Sequence, residues 1–208
     1  MNLYPYQKHT VVALRNSILS GHTRICLASP TGSGKTVMFS FLGVEHLKKN
    51  GKVLIITHRI ELLKQSRKEF PTIQEIKAGN EPDLTGNIHI AMIETLNNRA
   101  LDIEYIHFLR SRTLVIIDEC HIQNFNKIYK YFPQTCIILG VTATPLRIGK
   151  QEALDKVYTD LVQIIDTPEL VDLKFLSKAK TFGIPVNLKG IDITKGDYDA
   201  QQVAQRYS

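Results

Sequence analysis

The strongest chemical signal in the chain is the octapeptide Ser29-Pro30-Thr31-Gly32-Ser33-Gly34-Lys35-Thr36. A short apolar run, Arg24 to Ala28, precedes it, and a helical pattern, Lys35 to Lys49, follows. A glycine-containing loop between a strand and a helix is a phosphate cradle. Glycine accepts the dihedrals that turn backbone N–H groups inward. The helix N-terminus adds partial positive charge. Thr31, Gly32, Ser33 and Gly34 then line the phosphates, Lys35 reaches the β- and γ-phosphates, and the Thr36 hydroxyl holds Mg2+. Ser29 stands where the usual pattern has its first glycine. A Gly-Ser loop with a chance lysine is the alternative, and the flanking strand and helix argue against it.

A second signal is Asp118-Glu119-Cys120-His121, directly after the aliphatic run Leu114 to Ile117. Downstream of a phosphate loop, an acidic pair at a strand end suits nucleotide hydrolysis. Asp118 binds Mg2+ through water, and Glu119 orients and deprotonates the attacking water. An exposed strand-end turn is the plainer reading of the same residues. Cys120 and His121 are both zinc-ligand types, but no Cys-x2-Cys pair occurs and Cys26 and Cys136 stand alone, so no zinc site is expected. Cys26, inside an apolar strand, reads as a small core residue.

These residues need a scaffold, and the chain supplies strands alternating with helices. Pro5 precedes an amphipathic stretch, Gln7 to Ser20, with Val11, Leu14, Ile18 and Leu19 on one face and Gly21 closing it. Val53–Ile56, Ile88–Ile93, Leu114–Ile117 and Ile137–Val141 read as further strands, and Ile60–Phe70 as a helix ended by Pro71. Short, wholly aliphatic strands separated by helices predict an α/β fold whose parallel sheet is buried on both faces. Ser29, Thr57, Asp118 and Thr142 follow four of the strands directly. Ligands of open α/β sheets sit at the carboxyl ends of strands, so these four polar ends should meet. After Gly149 the strand pattern fades. Thr167-Pro168 reads as a helix cap and first turn, and Gly196 to Asp199 as a further loop-to-helix junction.

Composition sets outer bounds. The chain has 208 residues, 43% hydrophobic and 22% charged, enough for a buried core. No run of about 18 apolar residues predicts a membrane span, and the N-terminus lacks the pattern of a secretory signal. Three widely spaced cysteines point to a reducing compartment, hence the cytoplasm. The net charge is +6 with a pI of about 9.2, and the positive excess lies in residues 1–150. A polyanionic partner and simple solubility both account for it.

Taken in order, Pro30 to Thr36, Asp118-Glu119-Cys120-His121 and Thr142-Ala143-Thr144-Pro145 resemble motifs I, II and III of superfamily 2 helicases. The DECH spelling is similar to those of the DEAD-box and DEAH-box groups. Leu3-Tyr4-Pro5-Tyr6-Gln7 resembles the adenine-reading motif, with Gln7 as the base-holding glutamine and Tyr4 where an arginine is frequent. Thr57-His58-Arg59-Ile60-Glu61-Leu62 resembles motif Ia, and Met92 to Leu96 the later segment that touches the nucleic-acid backbone. The resemblance covers residues 3–147 closely. The remainder is similar to the end of domain 1 in phage-type and bacterial DNA helicases.

The resemblance implies a RecA-like P-loop NTPase domain over residues 1–150, with a mostly parallel central sheet flanked by helices. Residues 151–208 would finish that domain and lead toward a second RecA-like domain. It implies ATP and Mg2+ as ligands, with Lys35, Asp118, Glu119 and His121 as catalytic residues. Thr57, His58, Arg59 and Thr95 would touch nucleic acid, DNA rather than RNA, and Thr142, Ala143 and Thr144 would couple the two sites. For Arg59 a solvated first-turn residue is the other reading; Tyr4 and Tyr6 stack on adenine or pack beside Pro5. Beyond Pro145 the only arginines are Arg147 and Arg206, and no arginine-finger motif is visible. The isolated chain is then expected to bind nucleotide and to hydrolyse it feebly. A double-strand DNA translocase is the alternative within the same class, and a P-loop binding module or kinase the alternative outside it. For a phage-type protein the compartment would be the host cytoplasm.

Overall fold

The computed structural model describes residues 2–145 and 153–180, together with the strand segments 193–194 and 197–198. Residues 1–176 form one compact unit, and residues 177–208 form a separate one. The first unit is built on a seven-stranded sheet. Its strands are β1 Arg24–Ala28, β2 Val53–Thr57, β3 Gln74–Ile76, β4 Ile88–Met92, β5 Leu114–Asp118, β6 Ile137–Thr142 and β7 Asp160–Val162. They lie in the order β3-β4-β2-β5-β6-β1-β7, and every neighbouring pair is parallel.

The helices are α1 Pro5–Leu19, α2 Lys35–Lys48, α3 Ile60–Glu69, α4 Ile93–Arg99, α5 Ile103–Arg110 and α6 Thr167–Asp172. Side chains alternate across each strand, and the core divides accordingly. Val53 and Ile55 of β2 join Leu14 of α1, Met38 and Phe39 of α2, and Leu62 and Leu63 of α3 on one face. Leu54 and Ile56 join Ile93 and Leu96 of α4 and Tyr105, Phe108 and Leu109 of α5 on the other. A strand packed on both faces has no polar position to spare, which is why its sequence is aliphatic throughout.

Several elements differ from the sequence reading. Leu19 is 84% exposed rather than part of the apolar face of α1, because it is the last residue of a helix that turns out at Gly21. β4 ends at Met92, and Ile93 starts α4 instead of ending the strand. The cap of α6 is Asp166, one residue before the expected Thr167. Its carboxylate accepts the Glu169 N–H at 2.9 Å, while Glu169 accepts the Asp166 N–H at 2.9 Å, a reciprocal pair that fixes the first turn. In the second unit Asp197–Tyr198 is a strand, paired antiparallel with Ile193–Thr194, where a helix start was expected; the β-branched Ile and Thr favour that pairing. Arg147, Arg206 and the helix expected after Asp199 lie outside the described residues. Among the described residues no helix is long and apolar enough to cross a membrane.

Gly140 explains one close approach in the sheet. A Cβ there would stand 2.3 Å from the Tyr158 hydroxyl and 2.4 Å from Cζ. Tyr158 is buried and its hydroxyl meets that of Tyr129 at 2.8 Å, so the ring cannot swing aside freely. Gly140→Ala is therefore expected to cost about 1–3 kcal/mol of overpacking, read as a lowered midpoint in urea. An unchanged midpoint would show that the ring yields.

Candidate nucleotide site

Strand register builds the site. Ala28 pairs with Thr142, Asp118 with Val141, and Ile56 with Ile117. The carboxyl ends of β1, β6, β5 and β2 thus finish at one level, and the four polar residues predicted to meet there do so. Ser29 N–H donates to the Thr142 carbonyl at 2.9 Å. The Thr57 hydroxyl donates to Asp118 Oδ2 at 3.3 Å. Cys120 N–H donates to the Val141 carbonyl at 3.1 Å, tying the DECH turn to β6.

The phosphate loop adopts the conformation its glycines permit. Gly32 has φ +83° and Gly34 φ +77°. A Cβ at Gly34 would lie 2.5 Å from Gln7 Nε2, and one at Gly32 would lie 2.7 Å from Leu176 Cδ2. The departure at Ser29 has a structural use: its buried hydroxyl donates to Ser33 Oγ at 2.7 Å and closes the loop from inside. Lys35 Nζ donates to the carbonyls of Ser29 at 3.1 Å and Pro30 at 3.2 Å. Its ammonium thus sits over the cradle, satisfied by the loop itself. Burial lowers the Lys35 pKa, and the charges of Glu119 and Asp118 oppose that shift. Thr31 is exposed and Thr36 half-buried.

Gln7 is buried and both ends of its amide are engaged. The oxygen accepts the Tyr4 N–H at 3.0 Å, and the nitrogen donates to the Ser33 carbonyl at 3.1 Å. The Tyr6 hydroxyl donates to that same carbonyl at 2.9 Å. Gln7 and Tyr6 therefore anchor α1 to the phosphate loop. Phe175 lies 4.6 Å from the Tyr4 ring and 5.1 Å from the Tyr6 ring, so the tyrosines pack on it as well as flank Pro5. Phe175 and Leu176 were not singled out in the sequence. The only local signal is an aromatic-aliphatic pair after a capped helix, which is too common to mark a site.

At the acidic turn, Asp118 is buried, and burial followed by the charge of Glu119 raises its pKa. Glu119 has φ +51°, a left-handed conformation that costs about 1–3 kcal/mol for a residue with a side chain. That strain turns its carboxylate toward two partners. Arg59 Nη2 donates to Oε1 at 3.0 Å, and His121 Nδ1 lies 3.5 Å from Oε2. His121 Nδ1 also meets Thr142 Oγ1 at 2.8 Å. Thr142 Oγ1 accepts the Thr144 N–H at 3.0 Å, so the Thr142-Ala143-Thr144 turn is wired to the DECH turn through His121. Among the described residues no three His, Cys, Asp or Glu side chains form a metal cage. One carboxylate beside a phosphate cradle instead suits Mg2+, which keeps waters and takes phosphate oxygens.

The four residues expected at nucleic acid differ in exposure. Thr57 is fully buried, with its hydroxyl donating to Asp118 and accepting the Arg59 N–H at 3.0 Å. It braces Asp118 rather than meeting solvent, because it is the last residue of a central strand. Arg59 is exposed, but its guanidinium is paired with Glu119. His58 is half-buried, and its Nδ1 has no hydrogen-bond partner among the described residues. Thr95 is half-buried in the first turn of α4, at the carboxyl end of β4.

Known proteins resemble this chain in sequence and fold. The family described as "Type III restriction enzyme, res subunit" matches residues 1–147. The yeast protein named "Putative ATP-dependent helicase IRC3", from Saccharomyces cerevisiae, is 30% identical over 94% of this chain and 31% of its own. The UvsW helicase of bacteriophage T4 shares the fold with a TM-score of 0.61 at 19% identity, over 78% of this chain and 60% of that one. The type ISP restriction-modification enzyme LlaGI, solved with a DNA substrate mimic, gives a TM-score of 0.65 at 16% identity, over 84% of this chain and 21% of that one. The chain spans about a third of the curated relatives it matches. With a family match over most of its residues, the chain belongs to the type III restriction enzyme res subunit family, and it has the RecA-like fold of the helicase domains it resembles.

Proposed function

We propose that this chain is the ATP-binding motor domain of a DNA helicase, and that a second RecA-like domain completes hydrolysis. The observation that carries the reading is the strand register that ends β5 at Asp118 and β6 at Thr142 beside a lysine-bearing loop whose two glycines hold positive φ. The loop amides and Lys35 bind the β- and γ-phosphates, and Lys35 gives up the Ser29 and Pro30 carbonyls to do so. Thr36 and Asp118 would hold Mg2+, which when bound neutralises charge on the phosphate oxygens. Glu119 takes the proton of the attacking water. The Tyr4, Tyr6 and Phe175 cluster, beside Gln7, offers the base an aromatic wall. His121 and the Thr142–Thr144 turn carry the state of this site toward the nucleic-acid edge at His58, Arg59 and Thr95. DNA as the partner is supported by the DNA mimic bound to LlaGI and by the basic balance of residues 1–150. An arginine finger from the second domain would supply about 10³–10⁵ of turnover, so the 208-residue chain alone should turn over slowly.

Two variants separate binding from stability. Lys35→Ala removes a charge-assisted contact worth roughly 1.5–3 kcal/mol, and should weaken a fluorescent ATP analogue by about ten- to a hundredfold. Asp118 has a folded pKa above its ordinary value of 3.8, so the folded protein holds that proton more tightly than the unfolded chain. Ionised Asp118 therefore costs stability as pH rises through that window, and the cost persists at neutral pH. Asp118→Asn should raise the melting temperature of the nucleotide-free protein while abolishing stabilisation by Mg·ATP. A lowered melting temperature would show that Asp118 is structural.

In a protein carrying both motor domains, Glu119→Gln should keep Mg·ATP binding and lose hydrolysis, since an amide cannot accept the proton. A fall of less than about tenfold, or roughly 1.4 kcal/mol in the barrier, would remove Glu119 from that role.

A further inference from the structure

One arginine is asked to do two things. The proposed function puts Arg59 at the nucleic-acid edge, and its side chain is 54% exposed. Its guanidinium nevertheless turns inward, with Nη2 3.0 Å from Glu119 Oε1, while the Glu119 side chain is only 11% exposed. Its backbone is fixed by Thr57, whose hydroxyl accepts the Arg59 N–H at 3.0 Å and donates to Asp118 at 3.3 Å. Arg59 is thus positioned by the residue that braces Asp118, and it occupies an oxygen of the carboxylate expected to accept the water's proton. The strained φ of +51° at Glu119 puts that carboxylate within reach.

We infer that Arg59 is a positioning residue that exchanges Glu119 for a nucleic-acid phosphate, holding the base engaged while nucleic acid is absent and releasing it when a phosphate draws the guanidinium outward. This rests on the proposed motor function. The guanidinium binds carboxylate and phosphate by the same donor fork, and one fork cannot serve both. Glu119 and the phosphate therefore compete, and competition is reciprocal: what weakens one partner's hold must strengthen the other's. The pair is half in solvent, where such interactions are modest, so a polyphosphate chain can displace it. A buried pair would lock the base permanently.

Reciprocity allows a test that needs no hydrolysis. The 208-residue chain is titrated with a fluorescent single-stranded DNA oligonucleotide, without nucleotide, over a range of salt. Four proteins are compared: the native chain, Glu119→Gln, Arg59→Ala and the double variant, each checked for folding by thermal melting. Glu119→Gln should bind DNA about two- to fivefold tighter, the range for a partly exposed ion pair. Arg59→Ala should bind more weakly, with the slope of log affinity against log salt reduced by about one. In the Arg59→Ala background, Glu119→Gln should change nothing. An equal gain in both backgrounds would mean that Glu119 merely repels DNA, and no gain in either would mean that the two do not compete; each overturns the exchange. DNA binding that obeys the salt law with an Arg59-independent slope overturns the exchange and leaves the motor reading standing. No binding by any variant overturns both.

Discussion

Four parallel strands ending at one level give this protein its chemistry. Their in-register pairing leaves Ser29, Thr57, Asp118 and Thr142 side by side, each at the point where a strand stops and a turn begins. A shift of one residue in any pair would turn a polar end into the core and an aliphatic residue into the site. The hydrogen bonds between the ends are few, but they join adjacent strands directly: Ser29 to Thr142, Thr57 to Asp118, Cys120 to Val141. Movement at any one turn is therefore felt at its neighbours without a long chain of contacts.

The same crowding makes the site electrostatically poor before anything binds. Asp118 is buried beside Glu119, and both burial and the neighbouring charge disfavour its ionised form. Lys35 is disfavoured as a cation by burial and retained as one by the two carboxylates. The two acids, Asp118 and Glu119, face the Lys35 ammonium and the Arg59 guanidinium, but among the described residues Asp118 has no cation hydrogen-bonded to it and is disfavoured as an anion. Under the proposed function, Mg·ATP would relieve a cost already built into the fold, as expected where stability is sacrificed for function.

Much of this was legible because it rests on local rules. The phosphate loop and its flanking elements are contiguous, and the aliphatic strands announce a sheet covered on both faces. What was illegible depended on tertiary context. β3 and β7 are three-residue edge strands whose polar residues Gln74, Glu75 and Asp160 give no alternation to read. The burial of Thr57 follows from β2 lying between β4 and β5, which no local pattern states. Phe175 reaches Tyr4 and Tyr6, and Leu176 reaches Gly32, after β7 has paired with β1 and brought the later chain back. The Arg59–Glu119 pair spans two separate strand ends, and the sequence, which offered nucleic acid or solvent for Arg59, carried no sign of it.

A crystal structure of this chain with Mg2+ and a non-hydrolysable ATP analogue tests the account most directly. Lys35 Nζ is predicted to leave the Ser29 and Pro30 carbonyls, now 3.1 and 3.2 Å away, for the β- and γ-phosphates, with Asp118 at the hydrated metal and Gly32 and Gly34 still at positive φ. Phosphates bound elsewhere, or Lys35 still on its own loop with the nucleotide in place, would contradict it.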